Sequence, residues 1–210
     1  APVKLPESLP TKSEPAVSGF GETAYYKAVD RAKHYIFEGD IMQVVLSQRM
    51  TVPFTARPLD LYRALRYLNP SPYLYFLDLG EFQIVGSSPE ILARLADGTV
   101  TVRPIAGTRK RGVTPAEDLA LEKELLADEK ERAENLMIVD LMRNDIGRVA
   151  EVDSVQVTKL FDVESYATVH QLVSTVEGKL AAGCDAGDAI SSAFPGGSMT
   201  GAPKARAMQI

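Results

Sequence analysis

Between Tyr73 and Ile105 the chain passes through four strand-like runs with no helical stretch among them. Residues 73–79, 82–86, 91–95 and 100–105 are rich in aromatic and aliphatic side chains, with turn-forming residues between them. Asp97-Gly98 is a strong hairpin signal, since a two-residue turn of this kind needs positive φ at both positions. Strands that follow one another this closely pair antiparallel, because a parallel pair needs a crossover of a dozen residues or more. Strict βαβ alternation is thereby excluded for this stretch, and an α+β architecture is expected.

Helical periodicity flanks these strands. Tyr25, Val29, Ala32 and Ile36 step by four, three and four, which predicts a helix from Thr23 that stops near Gly39. Residues 41–52 read as a strand, with Gln43, Val45, Ser47 and Arg49 on one face. Pro58 fits the first turn of a second helix ending near Leu68. Residues 107–114 read as a polar loop, followed by helices from Pro115 and over 128–148. Strands are expected at 152–158 and 168–176, a short helix at 185–193, and a last helix opened by Pro203. Residues 1–20 hold four prolines among Ser, Thr, Lys and Glu, and read as a linker from a preceding domain, with the folded part at 21–210.

Composition narrows the function classes. Across 210 residues, 28 acidic side chains face 23 basic ones, a net charge of −5, so no basic footprint for a nucleic-acid backbone is expected. No apolar run is long enough to span a bilayer, which predicts no membrane partner. The N-terminus lacks a charged start followed by an apolar stretch, so no signal peptide is expected. Cys184 stands alone, which rules out a disulfide within the chain and, with the rest, predicts a cytoplasmic protein.

Few residues stand out chemically. Glu131 and Glu134 lie three apart on a predicted helix, so their carboxylates project from one side. A hard cation such as Mg²⁺, held by one or two carboxylates with water and substrate oxygens, suits such a pair. A solvated face with Asp128–Arg132 and Lys130–Glu134 ion pairs satisfies the same spacing. Gly196, Gly197 and Gly201 in PGGSMTGAPK permit close backbone approach to an anion, with Ser198 or Thr200 as donors or caps. An ordinary glycine-rich connector reads identically. The G-K-[ST] order of a P-loop is absent. His170 in a strand is as consistent with a structural histidine as with a catalytic one. Glu90 is open between general acid and surface carboxylate. Zinc-ligand spacing and a G-x-S-x-G element are both missing.

Taken together, IMQVVLSQRM, NPSPYLYFLDL, VGSSPEIL, RPIAGTRKRG, ADEKERAENLMIVDLMRNDIGRV, ESYATVHQLVSTVEG and FPGGSMTGAPKARAMQI resemble the chorismate-utilising enzyme family. These blocks run in family order from about residue 23 to 210. The resemblance implies an α+β sandwich of two antiparallel sheets with flanking helices, incomplete at the C-terminus, so that 21–210 is a partial catalytic domain. It implies Mg²⁺ on Glu134, with Glu131 orienting metal-bound water. Gly107 and Thr108 match the family's chorismate-contacting Gly-Thr. Glu90 matches the acid for the departing C4 hydroxyl, and His170 and Ser198 match residues around the ring.

Three positions bear on which family member this resembles. Gln43 stands where isochorismate and salicylate synthases carry a water-activating Lys, so ammonia is the expected nucleophile, with Gln43 lining the substrate site. Ala106 stands where most aminodeoxychorismate synthases carry a nucleophilic Lys. Pro72, Tyr73 and Leu74 match a Pro-Tyr-Met segment that contacts feedback tryptophan in anthranilate synthases. Asn135 and the SMTG wording of the glycine loop instead resemble aminodeoxychorismate synthases. The resemblance therefore implies a lyase making anthranilate, supplied with ammonia by a glutamine amidotransferase subunit or domain. The alternatives are an aminodeoxychorismate synthase, or a non-catalytic fragment that senses tryptophan or docks the amidotransferase. By the same family pattern, this chain alone is expected to be inactive.

Overall fold

Helices and strands alternate in groups in the computed structural model, which describes residues 14–210 apart from Asn69. In chain order the elements are β1 (Val17–Ser18), α1 (Glu22–Phe37), β2 (Gln43–Val44), β3 (Met50–Thr51) and α2 (Pro58–Leu68). Then come β4 (Tyr73–Asp78), β5 (Gln83–Ser88), β6 (Arg94–Ala96), β7 (Thr99–Val102) and β8 (Ile105–Lys110). Next are α3 (Pro115–Ala127), α4 (Glu129–Gly147), β9 (Gln156–Ser165) and β10 (Val169–Lys179). The chain closes with α5 (Ala186–Ala193), α6 (Gly197–Thr200), β11 (Gly201–Ala202) and α7 (Lys204–Gln209). Among the described residues no helix is long and apolar enough to cross a membrane.

The chain divides into two compact units. One holds the described residues up to Asp30 with Leu46–Ile91, and the other holds Arg31–Val45 with Leu92–Ile210. In the first, β4 and β5 form an antiparallel hairpin in which Tyr73 faces Ser88 and Asp78 faces Gln83. The turn is held by Asp78 Oδ1, which accepts from the Gly80 N–H at 3.1 Å. β1 pairs antiparallel with β3 in the same unit, so the stretch 14–20 is not all linker. The prolines at 2, 6 and 10 lie outside the described residues.

The second unit is built on β10. One edge of β10 pairs with β9, and the other pairs first with β8 and then with β7, all antiparallel. β6 extends the sheet through the Asp97-Gly98 turn, where both residues have positive φ as that turn requires. α4 lies against this sheet because Ile138, Val139, Met142 and Ile146 recur at helical spacing and meet Val100, Val102 and Val176 in one apolar core.

Asp128 joins the two long helices. Its backbone N–H closes the end of α3 on Leu125 O, and its carboxylate accepts from the N–H groups of Lys130 and Glu131 to start α4. Its other oxygen sits 2.6 Å from an Arg109 nitrogen.

Two expectations are corrected here. The expected loop at 107–114 begins as strand, since Gly107 to Lys110 belong to β8. The expected strand over 41–52 is only two short pairings with different partners, β2 with β11 and β3 with β1.

Candidate functional site

Gly107 and Thr108 lie in the middle of β8, beside the central strand. Thr108 faces Gln171 across the ladder, and Arg109 faces His170. Facing residues on paired strands share a face, so Thr108 and Gln171 present to one side while Arg109 and His170 present to the other. Gly107 has φ of 97°. A Cβ there would meet Glu131 Cβ at 3.1 Å and the side chains of Leu125 and Leu172 at 3.2 Å. Glycine is what allows α4 to bring Glu131 this close to the strand.

Arg109 reaches the helix side and gathers three carboxylates. Its nitrogens lie 2.8 Å from Glu124, 2.6 Å from Asp128 and 3.3 Å from Glu131 Oε1. The carboxylates push the guanidinium pKa up, Glu124 contributing most. Asp128 is held below its ordinary value, first by the Glu131 backbone N–H. The helical pairs expected from spacing, Asp128–Arg132 and Lys130–Glu134, do not form among the described residues. Arg132 instead lies 5.0 Å over the Phe161 ring.

Glu134 is one turn further along α4. Among the described residues its hydrogen-bond partner is Gln43, whose Nε2 lies 3.3 Å from Glu134 Oε1. Gln43 is brought there by β11: Gly201 faces Val44 and Ala202 faces Gln43. Gly201 has φ of 128°, and a Cβ on it would fall 2.2 Å from Gln43 O, so no other residue permits this approach. The Oε1 of Gln43 is buried and has no hydrogen-bond partner among the described residues. A groove of about 550 Å³ beside α4 is lined by Met42 and Ala133, the sequence neighbours of Gln43 and Glu134, and by Leu136 and Leu141.

The glycine loop folds into the single turn α6, not into an open cradle. Thr200 Oγ1 donates back to Gly196 O at 3.2 Å, and Ser198 is half-buried without capping the turn. Lys204 in α7 anchors the loop, with Nζ 2.9 Å from the buried Asp145 of α4. Burial raises the Asp145 pKa against the opposing pull of Lys204.

His170 is 1 % exposed. Its Nε2 lies 2.9 Å from Asp118 Oδ1, and its Nδ1 2.8 Å from Ser165 Oγ. Asp118 in turn takes two nitrogens of Arg111, at 2.8 and 2.6 Å, and the Gly112 N–H at 2.7 Å. Arg111 first, then that N–H, holds its carboxyl far below the usual range. The structure thus separates His170 from Thr108 and puts Gln171 beside it. Alternation in β10 signals this once Thr108 and Gln171 are known to pair.

Glu90, Pro72, Tyr73 and Leu74 belong to the first unit. There they share one end of the β4–β5 hairpin: Tyr73 faces Ser88, Leu74 faces Ser87, and Ser88 Oγ donates to Glu90 O at 2.9 Å. Ser71 Oγ donates to Ser88 O at 2.9 Å across the same end.

Residues 3–210 match the family described as chorismate binding enzyme. The chain belongs to that family. A protein of Neisseria gonorrhoeae named anthranilate synthase component 1 is 56 % identical over 206 residues, 98 % of this chain and 42 % of its own length. The chain therefore spans about two fifths of the length of such relatives. The crystal structure of anthranilate synthase component I from Streptococcus pneumoniae superposes with a TM-score of 0.84 at 44 % identity, over 99 % of this chain and 46 % of that one. The menaquinone-specific isochorismate synthase of Escherichia coli, 22 % identical, shares the fold at a TM-score of 0.83, over 100 % of this chain and 49 % of that one. The α+β fold with several antiparallel sheets is thus that of the chorismate binding enzymes.

Proposed function

We propose that this chain is the chorismate-binding part of an anthranilate synthase large subunit, a lyase that aminates chorismate with ammonia and eliminates pyruvate. The observation that supports it most is the 56 % identity to an anthranilate synthase component 1 over 98 % of the chain. The absence of a nucleophile at Ala106 favours direct attack by ammonia at C2 over a covalent route.

Chorismate carries two carboxylates, and the donor set here suits a receptor for it. Glu134 and Glu131 are hard oxygen donors on one side of α4, and Gln43, which turns its Nε2 to Glu134, carries a buried Oε1 with no partner among the described residues. One or two carboxylates completed by water and substrate oxygens is the way Mg²⁺ is usually held, so the residues fit that ion. Among the described residues no group of three or more His, Cys, Asp or Glu side chains is placed to hold a metal ion, so the proposal rests on the pair Glu131 and Glu134. Bound Mg²⁺ would supply charge stabilisation at the substrate carboxylate. Arg109 limits repulsion between the acids by taking Glu131 Oε1. Thr108 is assigned to the substrate by family pattern, and with Gln171 it presents to the face of the sheet away from Arg109 and Glu131. Glu90 is the proposed proton donor to the C4 hydroxyl, and Ser198 and His170 are assigned to the pocket by family pattern alone.

A glutamine amidotransferase partner would supply ammonia, tryptophan would bind at Pro72–Leu74 as feedback inhibitor, and the enzyme would work in the cytoplasm. Incubation of the full-length protein with chorismate, ammonium and Mg²⁺ should release fluorescent anthranilate. Accumulation of 4-amino-4-deoxychorismate would instead support the aminodeoxychorismate reading, which the Asn135 and SMTG wording favours. Tryptophan binding without turnover would support the non-catalytic reading. The 210-residue chain alone should turn over little or no chorismate.

A further inference from the structure

Asn135 and Ser174 are both 0 % exposed, and they bond to each other. The Ser174 hydroxyl donates to Asn135 Oδ1 at 2.6 Å, and Asn135 Nδ2 donates to Leu172 O at 3.0 Å. Ser174 Oγ also accepts the N–H of Phe161, a residue whose φ of 60° lies in the left-handed region. These contacts fall where β10 slips register on both edges, against β8 between Gln171 and Val173 and against β9 between Val173 and Thr175. A helix side chain therefore replaces the strand partners that an irregular ladder leaves over.

We propose that Asn135 and Ser174 are positioning residues that set the spacing between the acids of α4 and Thr108 of β8. Asn135 directly follows Glu134 and lies one turn beyond Glu131. Its two bonds to β10 fix the helix against sliding and rotation, which apolar contacts from Ile138 and Val139 do not. β10 in turn fixes Thr108 through its pairing with Gln171 immediately before the slip. A displacement of one ångström at such a site is enough to cost about two orders of magnitude in rate. The inference rests on the reading of Glu134 as a metal and substrate contact.

The test uses the full-length protein with Ser174→Ala, Ser174→Thr, Asn135→Leu and Glu134→Gln. Calorimetric titration with Mg²⁺ alone, KM for chorismate and kcat are measured well below the melting temperature. Ser174→Ala and Asn135→Leu should each weaken Mg²⁺ binding about five- to tenfold or more, the effect of leaving one buried polar group unpaired. Ser174→Thr keeps the hydroxyl and should restore parental affinity. The double variant should be no weaker than the weaker single, since both changes break one network. Ser174→Ala removes a single oxygen, so it decides the matter even if Asn135→Leu does not fold. Unchanged Mg²⁺ affinity and KM in Ser174→Ala, with only a lowered melting temperature, would overturn the proposal. Unchanged affinity in Glu134→Gln would instead overturn the metal reading beneath it.

Discussion

His170 Nε2 lies 2.9 Å from Asp118 Oδ1, which ties the central strand of the larger unit to the first turn of α3. Arg111 and the Gly112 N–H keep Asp118 ionised, so Nε2 of the imidazole donates to it, while Nδ1 shares a hydrogen bond with Ser165 Oγ. Both ring nitrogens are thereby used inside the protein.

This chain of contacts should appear in the acid stability of the full-length protein. Folding lowers the Asp118 pKa, so its stabilisation is complete above the ordinary carboxylate value of 3.8 and is lost as pH falls from there toward the folded value. Asp118→Asn should be less stable than the parent at neutral pH and should show a shallower loss in melts taken down to about pH 2. Parallel pH profiles for the two proteins would show that Asp118 contributes nothing.

Gln171 and His170, adjacent in sequence, should respond differently to substitution. Gln171→Ala, beside Thr108, should raise KM for chorismate with little change in melting temperature. His170→Ala leaves Asp118 and Ser165 without their buried partner and should lower the melting temperature, by about 1–3 kcal/mol of stability. The reverse pattern would place the imidazole on the substrate side, as the family pattern assigns it, and leave the amide outside.

Glu134→Ala should reduce the rate far more than Glu122→Ala. Glu122 is on α3 and has no role in the proposed receptor. Loss of one electrostatic contact made in the transition state costs about 2.7–4 kcal/mol and lowers kcat and kcat/KM together. Equal, near-parental rates at saturating Mg²⁺ would remove Glu134 from the mechanism.

Gly201→Ala forces a Cβ to within 2.2 Å of Gln43 O at a φ of 128°. The strain should cost about 1–3 kcal/mol and push β2 off β11. A parental melting temperature and KM would show that the two strands do not pair as described.

Product identity separates the two enzymatic readings. Mass spectrometry of the full-length protein with chorismate should show no covalent adduct, and the released product should be anthranilate. Ala106 is 8 % exposed and belongs to the apolar core. Ala106→Lys should therefore lower stability as well as anthranilate formation, because the core would have to accept or expel an ammonium group. Unchanged rates and stability would mean that position 106 is neither tightly packed nor near the ring.

The helices were legible because their signals are local. Pro58, the Thr114-Pro115 start and the Asp128 cap each act within one turn, and the predicted limits fall within a few residues of α2, α3 and α4. β8 was hidden, since Gly107, Thr108, Arg109 and Lys110 have loop chemistry. What makes them a strand is β10 on one side, about sixty residues on, and the carboxylates of α3 and α4 that neutralise Arg109 and Arg111, none of them within the stretch itself. The glutamate pair was visible from its spacing, but not Arg109, which faces Glu131 from 22 residues away. The run at 41–52 has strand composition throughout. Its two ends find different partners, which composition cannot encode.

Asp128 gives the acidic helix its zero point. A helix turns 100° per residue, so one residue inserted or deleted between that cap and Glu134 would swing every later side chain by more than a quarter turn. Asp128 is also pinned to Arg109 on β8, so the phase of α4 is referenced to the strand that bears Thr108. The six residue steps from Asp128 to Glu134 thus behave as a ruler of fixed length. Substitutions along it should be tolerated far better than any change in its count.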